Sequence, residues 1–291
     1  MGTRRSRLAV IQAETVAALL KRSRSDIEVG VVKVAAEGDE DQNTTRDVWG
    51  KGAFVGSLQR KCVEGEIDAA VHSLKDLPLE EPGGLVLASV PLRDDPRDAL
   101  ITRDGRKLGE LRVGAVIGTS SERRALQLKD LRRDLKIMEL RGNVDTRVRK
   151  VLEFSVCDGA VVSYAALKRL GLGSLPSEVF DVERLVPAPG QGAIAVECRR
   201  DDEELVDLLG SIDDPEARFE VNIERRISKA LSGGCRVPVG VNARVDGSRV
   251  KVVATIAKNG GVVRASIEGP GMSIESLIGD LVSRLRGVEV A

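Results

Sequence analysis

The 291-residue sequence has few aromatic residues and no excess of charge of either sign. Phe, Trp and Tyr make up 2% of the residues, which disfavours the stacking surfaces that single-strand nucleic-acid binders use. The 45 basic and 45 acidic side chains give a formal net charge of zero, so no overall field attracts a nucleic acid or an anionic membrane. We therefore expect neither kind of partner.

Histidine and cysteine are also too sparse for common catalytic and metal-binding patterns. His72 is the single histidine, so a Ser-His-Asp triad or a histidine-bound metal would have to use that one residue. The four cysteines lie far apart and form no C-x-x-C pair, which argues against a zinc site or a disulfide scaffold. The sequence thus predicts no metal site.

Long hydrophobic runs are missing as well. No segment approaches the length of a membrane span, and residues 1–7 lack the apolar core of a signal peptide. Apolar residues make up 42% of the chain and are spread along it, so burial can drive folding of about two or three domains. We expect a cytoplasmic protein of several domains.

Arginine is the residue that the chain has in excess, with 32 arginines against 13 lysines. A guanidinium group binds a carboxylate through two parallel hydrogen bonds, which an ammonium group cannot do. Codon bias in a GC-rich genome explains the same composition. The positions of the arginines therefore decide whether they mark a carboxylate site.

The periodicity of apolar residues predicts a mixed α/β protein. Helical spacing runs from about residue 6 to 22, and short apolar runs at 29–34 and 67–72 are typical of strands. Residues 36–52 are polar, acidic and without periodicity, which is typical of a lid or a mobile binding segment.

A second unit begins near Asp98. It has a predicted strand at 113–117 that leads through Gly118-Thr119 into a helix, and another strand at 160–162. After a hinge rich in proline and glycine at 185–192, a strand is expected at 193–197. The rest of the chain is expected to form a helix to about Leu231, then three strands and a closing helix.

The two units share a faint internal repeat. Gly2-Thr3 and Gly118-Thr119 each lead into a helix that carries arginine, and the segment that starts at Asp68 resembles the one that starts at Asp158. The spacing differs because the long polar segment lies in the first copy. The pattern predicts two related α/β lobes that face each other across a cleft.

Both Gly-Thr segments place backbone N–H groups at a helix N-terminus, where the helix dipole favours an anion. Ordinary N-capping by Ser or Thr explains the same residues without a ligand. Arg141 and Arg147 follow the second of these segments, and the sequence indicates that they flank a glycine turn rather than a solvated helix face. Arginines at such loop positions favour a binding site over codon bias.

Two further segments carry reactive residues. Lys75 and Asp76 follow a predicted buried strand, and ligand sites form at strand ends. An adjacent Lys-Asp pair is, however, more often an exposed pair without a binding function. Cys235 follows two glycines and precedes Arg236, which favours its thiolate. The alternative for Cys235 is a small buried apolar side chain.

Together these segments resemble the hydroxymethylbilane synthase family, also called porphobilinogen deaminase. Eight stretches match in order between Gly2 and Gly240. They are Gly2 to Ser6 with Gln12, Lys51 to Phe54, His72 to Pro78, Gly118 to Arg124, Leu140 to Arg147, Leu167 to Gly171, Pro189 to Ala193, and Gly233 to Pro238.

The resemblance implies three α/β domains, of which the first two resemble periplasmic binding proteins and the smaller third carries the cysteine. Their expected bounds are 1–93 with 193–212, 97–187, and 215–291. The resemblance further implies a dipyrromethane cofactor, made from two substrate units and joined to Cys235 by a thioether. We expect a monomer whose substrate is porphobilinogen.

The family's functional residues map onto this chain one by one. Asp76 matches the catalytic aspartate, and Lys51 and Phe54 lie at the end of the predicted lid. The residues that match cofactor-binding groups are Cys235, Lys75, Asp76, Ser121, Arg123, Arg124, Arg141 and Arg147. Those that match substrate-binding groups are Arg4, Ser6, Gln12, Arg147 and Arg169.

The sequence departs from the family pattern at its first strand, and a second function also fits part of the pattern. The family has a longer apolar strand before Gly-Thr-Arg, so the first strand is expected to be short and Arg4 to be held less firmly. A two-lobed binding protein for a carboxylated metabolite, without catalysis, also explains the arginines. It leaves Asp76 and Cys235 without a function.

Overall fold

The computed structural model describes residues 1–35, 53–80, 83–232, 237–258 and 260–287. The chain divides into two compact units. Unit 1 is Met1–Asp94 with Gly192–Arg218, and unit 2 is Asp95–Gln191 with Phe219–Ala291.

Helices and strands alternate along most of the chain. In the described residues they are, in chain order, β1 (Gly2–Arg4), α1 (Arg7–Ser23), β2 (Val32–Val34), α2 (Ala53–Val63), β3 (Ala69–Ser73), β4 (Leu85–Ser89), β5 (Asp98–Thr102), β6 (Val116–Gly118), α3 (Glu122–Leu131), β7 (Lys136–Met138), α4 (Val144–Leu152), β8 (Gly159–Ser163), α5 (Tyr164–Arg169), β9 (Glu178–Val179), β10 (Ile194–Arg199), α6 (Glu203–Gly210), α7 (Pro215–Ser232), β11 (Val239–Asp246), β12 (Arg249–Lys258), β13 (Gly261–Pro270) and α8 (Ile274–Arg286).

The described part of unit 1 is built on a five-stranded sheet in the order β2-β1-β3-β10-β4. Strand β1 is parallel to both of its neighbours, and β10 runs antiparallel to β3 and β4. Val16 and Leu20 of α1 pack with Val71 on one face, and Leu58 of α2 packs with Ala70 on the other. Because both faces are covered, Ala69 to His72 of β3 are all buried.

Unit 2 contains a sheet of the same topology in the order β7-β6-β8-β5-β9. Strand β6 is parallel to both neighbours, and β5 is antiparallel to β8 and β9. In each sheet a short strand that contains the glycine of the Gly-Thr segment lies between two parallel strands. The internal repeat seen in the sequence is thus a repeat of topology.

Unit 2 also holds an antiparallel sheet of the three strands β11, β12 and β13. Helices α7 and α8 cover it, and Ile227 and Leu281 pack against Val241 and Val252 in its core. The predicted fold class, two α/β lobes with a smaller C-terminal α/β domain, is confirmed. The division into three domains at the stated residues, and the cleft, stay predictions.

Several elements differ from the sequence prediction. Arg147 lies inside helix α4, so its placement at the edge of a glycine turn was wrong: Asn143 is the N-cap residue, and the helix begins one residue later. Strand β6 begins at Val116, because Gly114 has a φ of 72° and Val113 lies 82% exposed. Strand β1 is short, as expected, yet it is paired on both sides.

A helix that crosses a membrane must be both long and apolar. Over the part of the chain that the structure describes, no helix combines the length and the apolar character that a membrane span requires.

Candidate active site

The predicted residues of unit 1 lie at one edge of its sheet. Strands β1 and β3 are parallel neighbours, so their carboxyl ends share that edge. Arg4 ends β1 and Ser6 follows it, while Lys75 and Asp76 follow β3 directly. The fold thus places Arg4 and Ser6 at the same sheet edge as Lys75 and Asp76, which come about 70 residues later in the sequence.

Asp76 lies in a single turn of 3₁₀-helix, Leu74–Asp76, that the core holds at both ends. The Leu74 side chain is 1% exposed, and its N–H donates to the Ala193 carbonyl at 3.0 Å. The Leu77 N–H closes the turn on the Leu74 carbonyl at 3.1 Å. Lys75 is therefore partly buried, and the Asp76 carboxylate is exposed in a fixed position.

Ser6 and Gln12 already have structural functions in this sheet edge. The Ser6 hydroxyl is the N-cap of α1 and accepts from the Ala9 N–H at 3.3 Å. The Gln12 side chain is buried and exchanges hydrogen bonds of 2.9 and 3.1 Å with the Ser73 hydroxyl. Contacts of either residue with a substrate stay predictions.

The predicted residues of unit 2 follow the carboxyl ends of β7, β6 and β8, which are adjacent and parallel. Arg141 follows β7, Ser121 follows β6, and Arg169 lies in α5 after β8. Ser121 is the N-cap of α3, which places that helix N-terminus at the same edge. Backbone N–H groups and cations at this edge favour anionic ligands.

Arg123 and Arg124 are buried and bind an acid that the sequence did not mark. The Asp98 carboxylate is 0% exposed, with Arg123 Nη2 at 2.8 Å from Oδ2 and Arg124 Nη2 at 2.7 Å from Oδ1. Gln191 of the predicted hinge donates to the same carboxylate at 2.8 Å. Arg123 also donates to the Val186 carbonyl.

Two opposing effects set the charge of this network. Burial by itself would raise the pKa of Asp98, but the Arg123 and Arg124 guanidiniums outweigh burial and hold that pKa well below its ordinary value. Burial lowers the pKa of Arg123, and the Asp98 charge opposes this shift. The network therefore holds one negative and two positive charges below the loop at Gly118–Ser121.

Arg141 and Arg147 are held more loosely. Arg141 pairs with Glu139 at 2.8 Å, with side chains 38% and 60% exposed, and such pairs contribute about 0–1 kcal/mol. The Arg147 Nε–H donates to the Gly142 carbonyl, where the φ of 112° requires glycine. These contacts place both guanidiniums beside the glycine turn that follows β7.

Three predicted residues cannot be placed. Lys51 and Cys235 lie outside the described residues, and for Phe54 only the helical backbone is described. The other three cysteines are buried thiols, as predicted. Burial raises the pKa of Cys62 and of Cys198 to about 11, which makes both poor nucleophiles.

Asp98 and Gln191 are the residues that sequence reasoning missed. Asp98 is the single charged residue of β5, whose other members are Ala99, Leu100, Ile101 and Thr102. A lone acid at the start of a fully buried strand indicates a buried cation as partner. That signal was present in the sequence.

Comparison with protein-family models assigns almost the whole chain. Residues 1–207 match the model described as "Porphobilinogen deaminase, dipyromethane cofactor binding domain". Residues 218–277 match the model described as "Porphobilinogen deaminase, C-terminal domain". Both sheet edges described above belong to the first match.

Curated proteins agree with these models. A porphobilinogen deaminase of Sorangium cellulosum is 43% identical over 262 residues, which cover 90% of this chain and 87% of the relative. One of Caldicellulosiruptor saccharolyticus is 39% identical over 287 residues, with 98% of each chain covered. Among solved structures, the periplasmic VFT2 domain of Bordetella pertussis BvgS is 18% identical, covers 69% of this chain and 75% of its own, and has a TM-score of 0.40. The chain belongs to the porphobilinogen deaminase family.

Proposed function

We propose that the chain is a hydroxymethylbilane synthase. It joins four porphobilinogen molecules head to tail on a dipyrromethane attached to Cys235, with loss of ammonia at each step, and water then releases the linear tetrapyrrole. The observation that carries this proposal is the exposed Asp76 carboxylate on a turn anchored at both ends, beside Lys75 and on the same sheet edge as Arg4.

The donor set fits a cofactor that carries several carboxylates. Each pyrrole unit brings an acetate and a propionate, and guanidinium and ammonium groups are the partners that such groups require. We assign this binding to Lys75, Ser121, Arg123, Arg124, Arg141 and Arg147. Arg123 donates to Asp98 and the Val186 carbonyl, and Arg124 to Asp98, the Val161 carbonyl and Gln191. These bonds do not use all five N–H donors of either guanidinium.

Asp76 is proposed to act through its charge. When ammonia leaves the aminomethyl group of the substrate, the carboxylate stabilises the cation that develops and accepts a hydrogen bond from the pyrrole N–H. When bound, the dipyrromethane would supply the free pyrrole carbon that takes up the first unit. Arg4, Ser6, Gln12, Arg147 and Arg169 are proposed to orient the substrate carboxylates, and Lys51 and Phe54 to exclude water.

The mass of the intact protein tests this proposal. Purified protein is expected to carry a covalent adduct of two pyrrole units, which the Cys235→Ser variant lacks and the control variant Cys198→Ala keeps. Incubation with porphobilinogen is expected to release ammonia. An unmodified mass in protein that binds porphobilinogen without releasing ammonia would instead support the two-lobed binding protein.

We further propose that the enzyme is a cytoplasmic monomer without a nucleic-acid or membrane partner. The balanced charge and the absence of a membrane-length apolar run in the sequence support this. Light scattering of the purified protein is expected to give the mass of one chain.

A further inference from the structure

A buried polar trio lies on the α2 face of the unit 1 sheet. The trio consists of Gln59 of α2, His72 of β3 and Glu197 of β10. Gln59 Nε2 donates to both Glu197 carboxylate oxygens, at 3.0 and 3.1 Å. His72 Nε2 lies 3.1 Å from Glu197 Oε2 without the geometry of a hydrogen bond, and these two side chains are 3% and 4% exposed.

The strand register explains why these residues meet. In the antiparallel pair of β3 and β10, His72 lies opposite Ala195 and Ala70 lies opposite Glu197. Residues directly opposite each other point to the same face, so His72 and Glu197 both point towards α2. There they lie among Leu58, Cys62 and the other apolar residues of that face.

Filling this space with polar side chains costs folding free energy. A buried carboxylate loses its hydration, and apolar side chains of similar volume often stabilise a core as well or better. Hydrogen bonds, unlike apolar contacts, fix a direction and a register. The Gln59–Glu197 hydrogen bonds therefore fix α2 relative to β10, and the close contact of His72 with Glu197 connects the end of β3 to that pair.

The end of β3 is held from both faces of the sheet. On the α1 face, Gln12 binds the Ser73 hydroxyl. On the α2 face, the trio holds His72, the residue before Ser73. Asp76 follows three residues later, in a turn between the buried residues Leu74 and Leu77. A shift of the strand end would thus move the Asp76 carboxylate directly.

We propose that Gln59, His72 and Glu197 are positioning residues that set the Asp76 carboxylate for the loss of ammonia. This proposal rests on the function proposed above and extends it to residues that touch neither substrate nor cofactor. Misplacement of a reacting group by about 1 Å lowers a rate by up to about a hundredfold. The trio acts on kcat, because it does not contribute to the binding of porphobilinogen.

The experiment uses the intact enzyme with its adduct. Glu197→Gln conserves the shape of the side chain and removes its charge, while Gln59→Leu removes the donor. Both are expected to lower kcat by about tenfold or more with KM changed less than about twofold. The matched control is Cys62→Ala, which changes packing in the same helix and on the same face, and is expected to leave kcat per adduct-bearing molecule unchanged.

A double-mutant cycle tests whether the trio acts through Asp76. In an Asp76→Asn background, Glu197→Gln is expected to have little further effect on kcat, because the group it positions is gone. Equal kcat losses in both backgrounds, or a loss no greater than that of Cys62→Ala, would overturn the proposal. Wild-type protein that lacks the adduct and releases no ammonia would refute the proposed function as well. If the wild type is active and the effects of Glu197→Gln and Asp76→Asn on kcat are additive, only the positioning role of the trio is refuted.

Discussion

Asp98 carries a full negative charge at the first position of a strand that is otherwise buried and almost entirely apolar. The charge is tolerated because Arg123, Arg124 and Gln191 supply hydrogen bonds to both oxygens. A buried ion network is strongly destabilised when one partner is lost, since the remaining charges stay uncompensated. Asp98 therefore links the stability of unit 2 to the arginines assigned to the cofactor.

The Asp98→Asn variant is expected to lose about 3–5 kcal/mol of unfolding free energy near neutral pH. The folded pKa of Asp98 lies below its ordinary value of 3.8, so the stabilisation is complete above that value and decreases as the pH falls towards the folded pKa. Wild-type stability is thus expected to fall more steeply than that of the variant between about pH 5 and about pH 2. Denaturant unfolding at a series of pH values measures both effects.

The control for this measurement is Asp104→Asn, which removes an exposed partner of Arg106. The side chains of that pair are 53% and 57% exposed, so a loss below about 1 kcal/mol is expected. Similar losses in the two variants would contradict a buried charge network around Asp98.

At the scale of the elements, the glycine that ends β6 fixes how closely the next strand and loop can approach. A Cβ atom at Gly118 would lie 2.7 Å from Leu140 Cδ2 and 3.0 Å from Cys157 Sγ. The glycine of the Gly-Thr segment is thus required by packing beneath the loop.

Gly118→Ala is expected to destabilise the protein by about 1–3 kcal/mol, because Leu140 and the strand end must move. The matched control is Gly279→Ala in the middle of helix α8, where the added Cβ meets nothing within 4 Å. That variant is expected to gain about 0.5–1 kcal/mol through helix propensity. Thermal unfolding is expected to show a lower unfolding temperature for Gly118→Ala and a higher one for Gly279→Ala. Equal shifts in the two variants would refute the packing argument.

At the scale of the molecule, a buried carboxylate in unit 2 connects the antiparallel sheet to the segment that follows the five-stranded sheet. Glu224 of α7 is 0% exposed and accepts from the Gly190 N–H at 2.7 Å and from the Ala243 N–H at 2.8 Å. Gly190 belongs to the segment after β9, and Ala243 to β11. Close packing supports this tie, since a Cβ at Gly240 would lie 2.8 Å from the Val186 carbonyl oxygen.

Glu224→Leu is expected to separate the unfolding of the two sheets of unit 2. The change leaves two buried N–H groups without acceptors, at about 1–3 kcal/mol each, in the region that couples the sheets. Calorimetry is expected to show one transition for unit 2 in the wild type and two in the variant. Glu216→Gln, an exposed position in the same helix, serves as control. A single transition in Glu224→Leu would show that packing alone couples the sheets.

Much of the fold and of the site follows from local pattern. Ser6 and Ser121 are N-cap residues at the predicted helix starts, and Asp76 follows a predicted strand. Arg147 was misplaced because a glycine at position 142 signals a turn but does not reveal how soon the next helix begins. Strand β4 was missed, since Leu85 to Ser89 follows a Pro-Gly-Gly break without the alternation typical of a strand.

The sequence by itself determined the α/β class, the repeated Gly-Thr segments and the family, because these depend on periodicity and on motifs within short stretches of chain. Only the tertiary structure decided which charges are buried together. Asp98 meets Arg123, and Glu197 meets His72 and Gln59, through strand order and register. Those contacts join residues between 25 and 138 positions apart. The arginines proposed to bind carboxylates and the turn of Asp76 were therefore visible in the sequence as candidates, whereas the buried groups that hold them were not.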